Sequence, residues 1–335
     1  MKYLVLNKVT FYTLLLVLAV SCNKDPINNY DCPNFYNYPY SPYSYPIMHP
    51  SGELIGFNHT PIQEIIYNYG YECPLQATYI YDDSKAGFWL ADTDGNNMRR
   101  VLSYYLYNPS WSPDGKSIVF SNGNISTMPF DGEKFDTTSI IQLSNTGHDF
   151  YPCWSRDGNY IAYDNTECGS VTNPPPENGC GILITDPNGY EKEFIIERRR
   201  FPYWGPSNDT LFYGLFYYDL VNKIETIILN TDSINLWVKG RPLYHPTKNR
   251  IYFTAKYIYT QDHFSLYSID PLGKDIKIIL DNPIDSFSFT QDGKILYVPF
   301  DNSKIDDCLG TIWIMNDDGS NKKQITTNSF TYSIN

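Results

Sequence analysis

A short string recurs six times along this chain, and a repeated unit that cannot bury its own apolar face must bury it against the next copy. Pro109-Ser110-Trp111-Ser112-Pro113-Asp114-Gly115-Lys116 runs into the apolar Ile118-Val119-Phe120. The string returns as Pro152-Cys153-Trp154-Ser155-Arg156-Asp157-Gly158, with Ile161 and Tyr163 beyond it. It returns again as Pro202-Tyr203-Trp204-Gly205-Pro206, with Leu211 and Tyr213 following. Weaker copies run from Pro46 to Phe57, Pro242 to Phe253 and Phe287 to Val298. With Met48, Trp111, Trp154, Trp204, Tyr244 and Phe289 equivalent, successive spacings are 63, 43, 50, 40 and 45 residues.

Each copy is followed by a second hairpin signal. Phe88-Trp89-Leu90-Ala91 leads to Asp92-Thr93-Asp94-Gly95, and Ile312-Trp313-Ile314-Met315 leads to Asp317-Asp318-Gly319. Ile182 to Thr185 precedes Asp186-Pro187-Asn188-Gly189, and Leu266 to Ile269 precedes Asp270-Pro271-Leu272-Gly273. Met128 with Asp131-Gly132, and the stretch Tyr217 to Leu229, supply the remaining two. Short apolar runs bounded by Asp-Gly turns are hairpins, since glycine supplies positive φ and aspartate bonds the local backbone. Two hairpins per unit make a four-stranded antiparallel blade, and a period near 45 residues is that of a β-propeller. The expected architecture is therefore all-β, a six-bladed propeller over residues 45–327.

The string P-x-W-S-P-D-G-K followed by D-x-D-G resembles the WD-like repeat of TolB-type propellers, from about residue 45 to 327. That resemblance is strongest in the second and third copies. The fourth and fifth lose Asp-Gly from the first turn. TolB carries an additional N-terminal α/β domain for which this chain has no room, so its partners are not carried over. No G-x-S-x-G occurs, so the hydrolase domain of propeller-bearing peptidases is not expected.

The N-terminus sets the expected address. Lys2 and Lys8 precede an apolar run from Val9 to Val20, then Ser21 and Cys22, then polar residues. A charged start, a short apolar stretch and a small-residue exit are the layout of a signal peptide, too short to span a bilayer. Leu18-Ala19-Val20-Ser21-Cys22 resembles a lipobox, although Ala19 stands where the lipoprotein family prefers Leu. The resemblance implies residues 1–21 as a signal peptide and Cys22 as the lipid-bearing residue. It also implies attachment to the outer membrane, because no Asp follows Cys22. Residues 22–44 would be a Tyr/Asn/Pro-rich tether, and residues 328–335 a tail or ring-closing segment.

Loss of residues 1–21 removes two lysines and no acid, taking the net charge from −12 to −14. A surface that acidic repels a phosphate backbone, which argues against nucleic acid as a partner. In an antiparallel meander the first and third connections share one face of the disc, and the second shares the other with the inter-blade links. The second connections are the long ones: 58–86, 164–181, 254–264 and 299–310. Long loops on a rigid scaffold concentrate binding, so this loop face is the expected working surface.

Six cysteines lie beyond Cys22: Cys32, Cys73, Cys153, Cys168, Cys180 and Cys308. An even count in an exported chain favours disulfides. Cys168 with Cys180 is the preferred pair, and Cys73 with Cys308 the second, where blades one and six meet. No CxxC and no accompanying His suggest a metal, and no cofactor motif appears. His49 and His245 fall in turns, and His59, His148 and His263 are scattered. Asp92-Thr93-Asp94-Gly95-Asn96 starts like a calcium loop but has Ser103 at its twelfth position, so it is assigned to a hairpin. Trp111, Trp154 and Trp204 follow the repeat and are assigned to the core. Arg198-Arg199-Arg200 on the loop face is a candidate carboxylate or anion site, and Trp237, just before blade five, a candidate stacking surface.

No nucleophile–base pair, phosphate loop or metal signature is present. The expected function is a non-catalytic envelope lipoprotein, held to the membrane by Cys22, that binds a protein or glycan on its loop face. The alternatives are a carbohydrate-active hydrolase or lyase on a propeller scaffold, and a structural subunit of a secretion or envelope complex.

Overall fold

The computed structural model describes residues 41–68, 76–168, 179–190, 192–299 and 310–334. They form six four-stranded antiparallel sheets, each built from consecutive strands. Blade 1 comprises Tyr43–Met48, Leu54–His59, Gly87–Asp92 and Arg99–Leu102, and blade 2 comprises Tyr107–Trp111, Ser117–Ser121, Ile125–Pro129 and Ile141–Gln142. Blade 3 comprises Asp149–Trp154, Ile161–Asn165, Gly181–Thr185 and Lys192–Glu197, and blade 4 Tyr203–Trp204, Thr210–Tyr213, Phe216–Asp219 and Ile224–Ile227. Blade 5 comprises Leu236–Tyr244, Ile251–Tyr257, Ser265–Ile269 and Lys277–Leu280, and blade 6 Ile284–Phe289, Ile295–Pro299, Trp313–Met315 and Lys323–Gln324. The first strand of every blade lines a central channel. Helical structure among the described residues is limited to 3₁₀ turns at Asp83–Lys85 and Asp232–Ile234, and none could cross a membrane.

The apolar repeat residues are spent between blades, and each of the six interfaces holds its own core. Phe88 and Leu90 of blade 1 meet Trp111, Ile118 and Phe120 of blade 2. Val119 and Ile125 meet Ile161 and Tyr163 across blades 2 and 3. Ala162 and Ile182 meet Trp204, Leu211 and Tyr213 across blades 3 and 4. Phe212 meets Tyr244 and Phe253, and Tyr252 and Leu266 meet Ile295 and Tyr297. Ring closure is the sixth: Ile55 and Phe57 of blade 1 pack on Leu296 and Val298 of blade 6. A lone blade would leave both faces wet, so the ring is the unit of stability.

In every blade but the fourth, an Asp/Gly turn docks on the preceding blade. Gly115, at φ +72°, sits where a Cβ would lie 2.6 Å from His49 Nε2 of blade 1. Gly273, at φ +76°, leaves a Cβ only 1.8 Å from the Ile228 carbonyl of blade 4. Glycine is needed there twice over, for the left-handed backbone and for the close approach.

Two findings differ from the sequence reading. The insertion after the second strand of blade 1 is no plain loop: Ile62–Asn68 and Gln76–Tyr81 pair antiparallel, and Thr331–Ile334 adds to Ile62–Asn68 in parallel. The C-terminal segment thus ties the chain end to blade 1, over Ile62 and Ile65. At the same joint, Tyr43 Oη donates to Thr327 O at 2.9 Å, and Ser288 Oγ donates to Pro46 O at 2.6 Å. The opposite face, expected to carry only tight turns, also carries residues 130–140 of blade 2. Phe130 and Phe135 fold that connection back onto Trp111, which is why it can be long and still packed.

Candidate binding face and central channel

The second connections emerge together, as the meander requires. In blade 3 this connection carries a Cys168–Cys180 disulfide, with sulfurs 2.04 Å apart. Cys22, Cys32, Cys73 and Cys308 lie outside the described residues, so the Cys73–Cys308 pair does too. Cys153, counted among the candidate disulfide cysteines, is instead a buried free thiol, 3.3 Å from Pro202 O. Burial pushes that thiol up to about 11, leaving it inert as a nucleophile.

Arg198, Arg199 and Arg200 lie on the link from blade 3 to blade 4, on the loop face, and each has an acidic partner. Arg198 pairs with Glu197 at 3.3 Å. Arg199 makes two bonds to Glu225, at 2.8 and 3.2 Å, and its guanidinium lies 5.2 Å from the Phe216 ring centre. Arg200 reaches Asp164 at 3.3 Å. The triplet is a bracket between blades rather than a free cationic cluster.

Trp237 belongs to blade 5 itself, as the second residue of its unusually long inner strand. It is 55% exposed. Phe264, from the adjacent loop, meets it edge-on with ring centres 5.1 Å apart. Lys256, its cross-strand partner, holds its ammonium 5.3 Å from the Trp237 ring and 5.2 Å from the Phe264 ring. Ile258 and Tyr259, both exposed, continue the apolar surface. An exposed indole backed by a half-buried phenyl ring and flanked by lysine offers stacking area and a cation together.

The channel has a volume of about 720 Å³ and is lined by the inner strands of all six blades. Its geometry rests on a repeated irregularity. Three residues before the repeat position held by Met48, Trp111, Trp154 and Trp204, the backbone is left-handed at Tyr45, Asn108, Tyr151 and Phe201, with φ between 51° and 63°. In blades 1 to 3 the strand pairing slips at the same place. Blade 5 uses Gly240, at φ 70°, one residue ahead of the equivalent Arg241. Such bulges re-aim side chains, and strained non-glycine backbone gathers at working sites. Tyr45, Asn108, Tyr151, Arg241 and Ser286 from this ring all line the channel.

Sequence reasoning passed over these residues, although a signal was present. In the first five blades the residue at this position, Tyr45, Asn108, Tyr151, Phe201 or Arg241, stands directly before the repeat proline. Asp285 is solvent-accessible at the channel wall, and the protein around it pushes its carboxyl above the usual range. Behind the ring, the fully buried side chain of Asp164 accepts from Phe201 N at 3.0 Å and from Arg200. Its Oδ1 has no partner, and burial drives the carboxyl up to about 6. Among the described residues, no three His, Cys, Asp or Glu side chains converge as metal ligands.

Comparison with known proteins places this architecture. The TolB structure from Agrobacterium tumefaciens superposes with a TM-score of 0.53 at 19% identity, over 69% of this chain and 84% of that one. The fold is a TolB-like six-bladed β-propeller. A puromycin-hydrolyzing peptidase from Mycobacterium tuberculosis gives a TM-score of 0.53 at 11% identity, with 85% of this chain matching 52% of that one. An oligogalacturonate lyase solved with manganese gives 0.51 at 9% identity, over 84% of this chain and 75% of that one. At these identities the TolB-like likeness is one of fold, shared by binding proteins and enzymes alike. No family model matches the sequence, and no curated protein matches it.

Proposed function

We propose that this TolB-like propeller is a non-catalytic binding module of the bacterial cell envelope. In this reading it is held by a lipid on Cys22 and captures an envelope protein or glycan on its loop face. The observation that carries the reading is the exposed Trp237 backed by the half-buried Phe264, with Lys256 beside them, on the longest inner strand of the ring. The anchoring part rests on the signal-like N-terminus and the Leu18–Cys22 string.

Two experiments test it. Cells fed labelled palmitate should incorporate it into the wild-type chain and not into Cys22→Ala; equal labelling removes the anchor. The immobilised mature chain, presented with envelope protein and polysaccharide fractions, should retain a component that Trp237→Ala releases.

A second reading, a carbohydrate-active enzyme, draws on one observation: Asp285 at the channel wall has a carboxyl raised by partial loss of water, as has the buried Asp164. Release of new reducing ends from a polysaccharide panel, lost in Asp285→Asn, would favour it over binding alone.

A further inference from the structure

The channel carries basic side chains along its length. Lys239 stands towards the loop-face mouth, Arg241 within the bulge ring and Arg156 two residues beyond Trp154 at the turn face. None of the three forms an ion pair with a carboxylate among the described residues, although the protein as a whole is acidic. Arg241 donates to Pro152 O at 3.2 Å and lies beside the Cys153 thiol, and its guanidinium is 5.9 Å from the Tyr151 ring centre. Guanidinium has five donors in a fork suited to carboxylate.

The rest of the lining suits a hydroxylated ring. Tyr45 and Tyr151 offer aromatic faces, and Asn108, Asp285 and Ser286 offer mixed donors and acceptors. Buried polar atoms without a protein partner include Ser286 Oγ and the indole nitrogens of Trp111 and Trp154, all on residues that line this cavity. A volume near 720 Å³ falls within the ~300–1,000 Å³ of small-molecule sites. An extended peptide fits less well. The inner strands are sheet edges, and Pro46, Pro109, Pro152, Pro202 and Pro242 remove backbone donors that strand addition would use.

We propose that the central channel binds an acidic sugar, its carboxylate held by Arg241 and its ring set between Tyr45 and Tyr151. This site is separate from the loop-face capture proposed above and stands or falls without it.

Calorimetric titration of the mature chain with glucuronate, methyl glucuronate, glucose and tetraglutamate tests the assignment. Glucuronate should bind at least tenfold more tightly than its uncharged ester or glucose, with an affinity that weakens as salt rises. Arg241→Gln should remove that preference, bringing glucuronate to the level of glucose. Because Arg241 also bonds Pro152 O, the urea midpoint is read beside each affinity and a second variant is titrated, Arg156→Gln, whose own bond is to Gly205 O at 2.8 Å. It should weaken glucuronate about threefold and leave glucose unchanged. Equal affinity for glucuronate and glucose overturns the proposal, as does an Arg241→Gln protein that keeps the preference. Tetraglutamate bound in preference to glucuronate, or no binding by either acid, overturns it as well.

Discussion

His245 Nε2 lies 3.0 Å from the carbonyl oxygen of Gly293, so an imidazole from blade 5 donates to the Asp-Gly turn of blade 6. The tautomer follows from the other nitrogen: Nδ1 accepts from Thr247 N at 3.2 Å and Lys248 N at 3.0 Å, leaving the proton on Nε2. His49 repeats the relation to Gly115 between blades 1 and 2, again at 3.0 Å. A histidine read as a turn residue is thus also the pin between consecutive blades.

That pin makes Gly293 more demanding than an ordinary turn glycine. A Cβ there would meet His245 Cε1 at 2.4 Å, on a backbone at φ +87°. Gly52, at φ +76°, has nothing within 4 Å of the equivalent point. Gly52→Ala should cost only the left-handed conformation, about 1–2 kcal/mol. Gly293→Ala should cost more, because the imidazole must move as well. Urea midpoints for both proteins check this, and equal losses would mean the blades do not meet as described.

Asp164 gives a pH dependence of definite sign. Its folded carboxyl titrates near 6 against 3.8 for the free group, so the native state holds its proton longer than the unfolded state. The penalty is absent below about pH 4, grows as pH rises to 6 and is complete above that. His59 acts in the opposite sense: burial lowers it to about 4, so its contribution is present above pH 6.5 and fades as pH falls to 4. In the wild type the two oppose each other. Asp164→Asn removes one, and should gain on the order of 3 kcal/mol at pH 7.5, less whatever the Arg200 pair contributed. It should also lose stability more steeply between pH 6.5 and 4. Denaturant titrations at several pH values decide it, and parallel curves for the two proteins would be the adverse result.

Cysteine chemistry should divide cleanly. Native protein at pH 8 should resist alkylation at Cys153, which becomes reactive once the chain is unfolded, because its thiol is buried and raised. Reduction of Cys168–Cys180 should lower stability by about 2–3 kcal/mol, for a bridge spanning 12 residues, without loss of the fold. Mass mapping after alkylation reads both, and rapid labelling of Cys153 in the native state would contradict its burial.

The fold was legible because two turn signals per unit, set by glycine and aspartate, recur in step with an aromatic, and a ring is what buries that aromatic. The face carrying Trp237 was legible from strand parity, which needs no side-chain detail. The channel was not. Tyr45, Asn108, Tyr151 and Arg241 have no single side-chain chemistry in common, and what unites them is a place at or beside a backbone irregularity that appears in sequence only as the residue before a proline. Nor could the sequence pair Arg199 with Glu225, 26 residues later on the outer strand of blade 4. The parallel strand Thr331–Ile334 escaped as well, because it pairs with an insertion rather than with a blade.

The claim that the loop face is the working surface is tested most directly by one affinity comparison. The wild type, Trp237→Ala, Lys256→Gln and the turn-face variant Lys116→Gln are titrated against the component captured from the envelope. The first substitution alters an exposed side chain and the second a half-buried one, and thermal stability is read for every variant beside its affinity. The account predicts that each weakens capture at least tenfold while Lys116→Gln does not. Capture that survives Trp237→Ala and Lys256→Gln but fails with Lys116→Gln would contradict it.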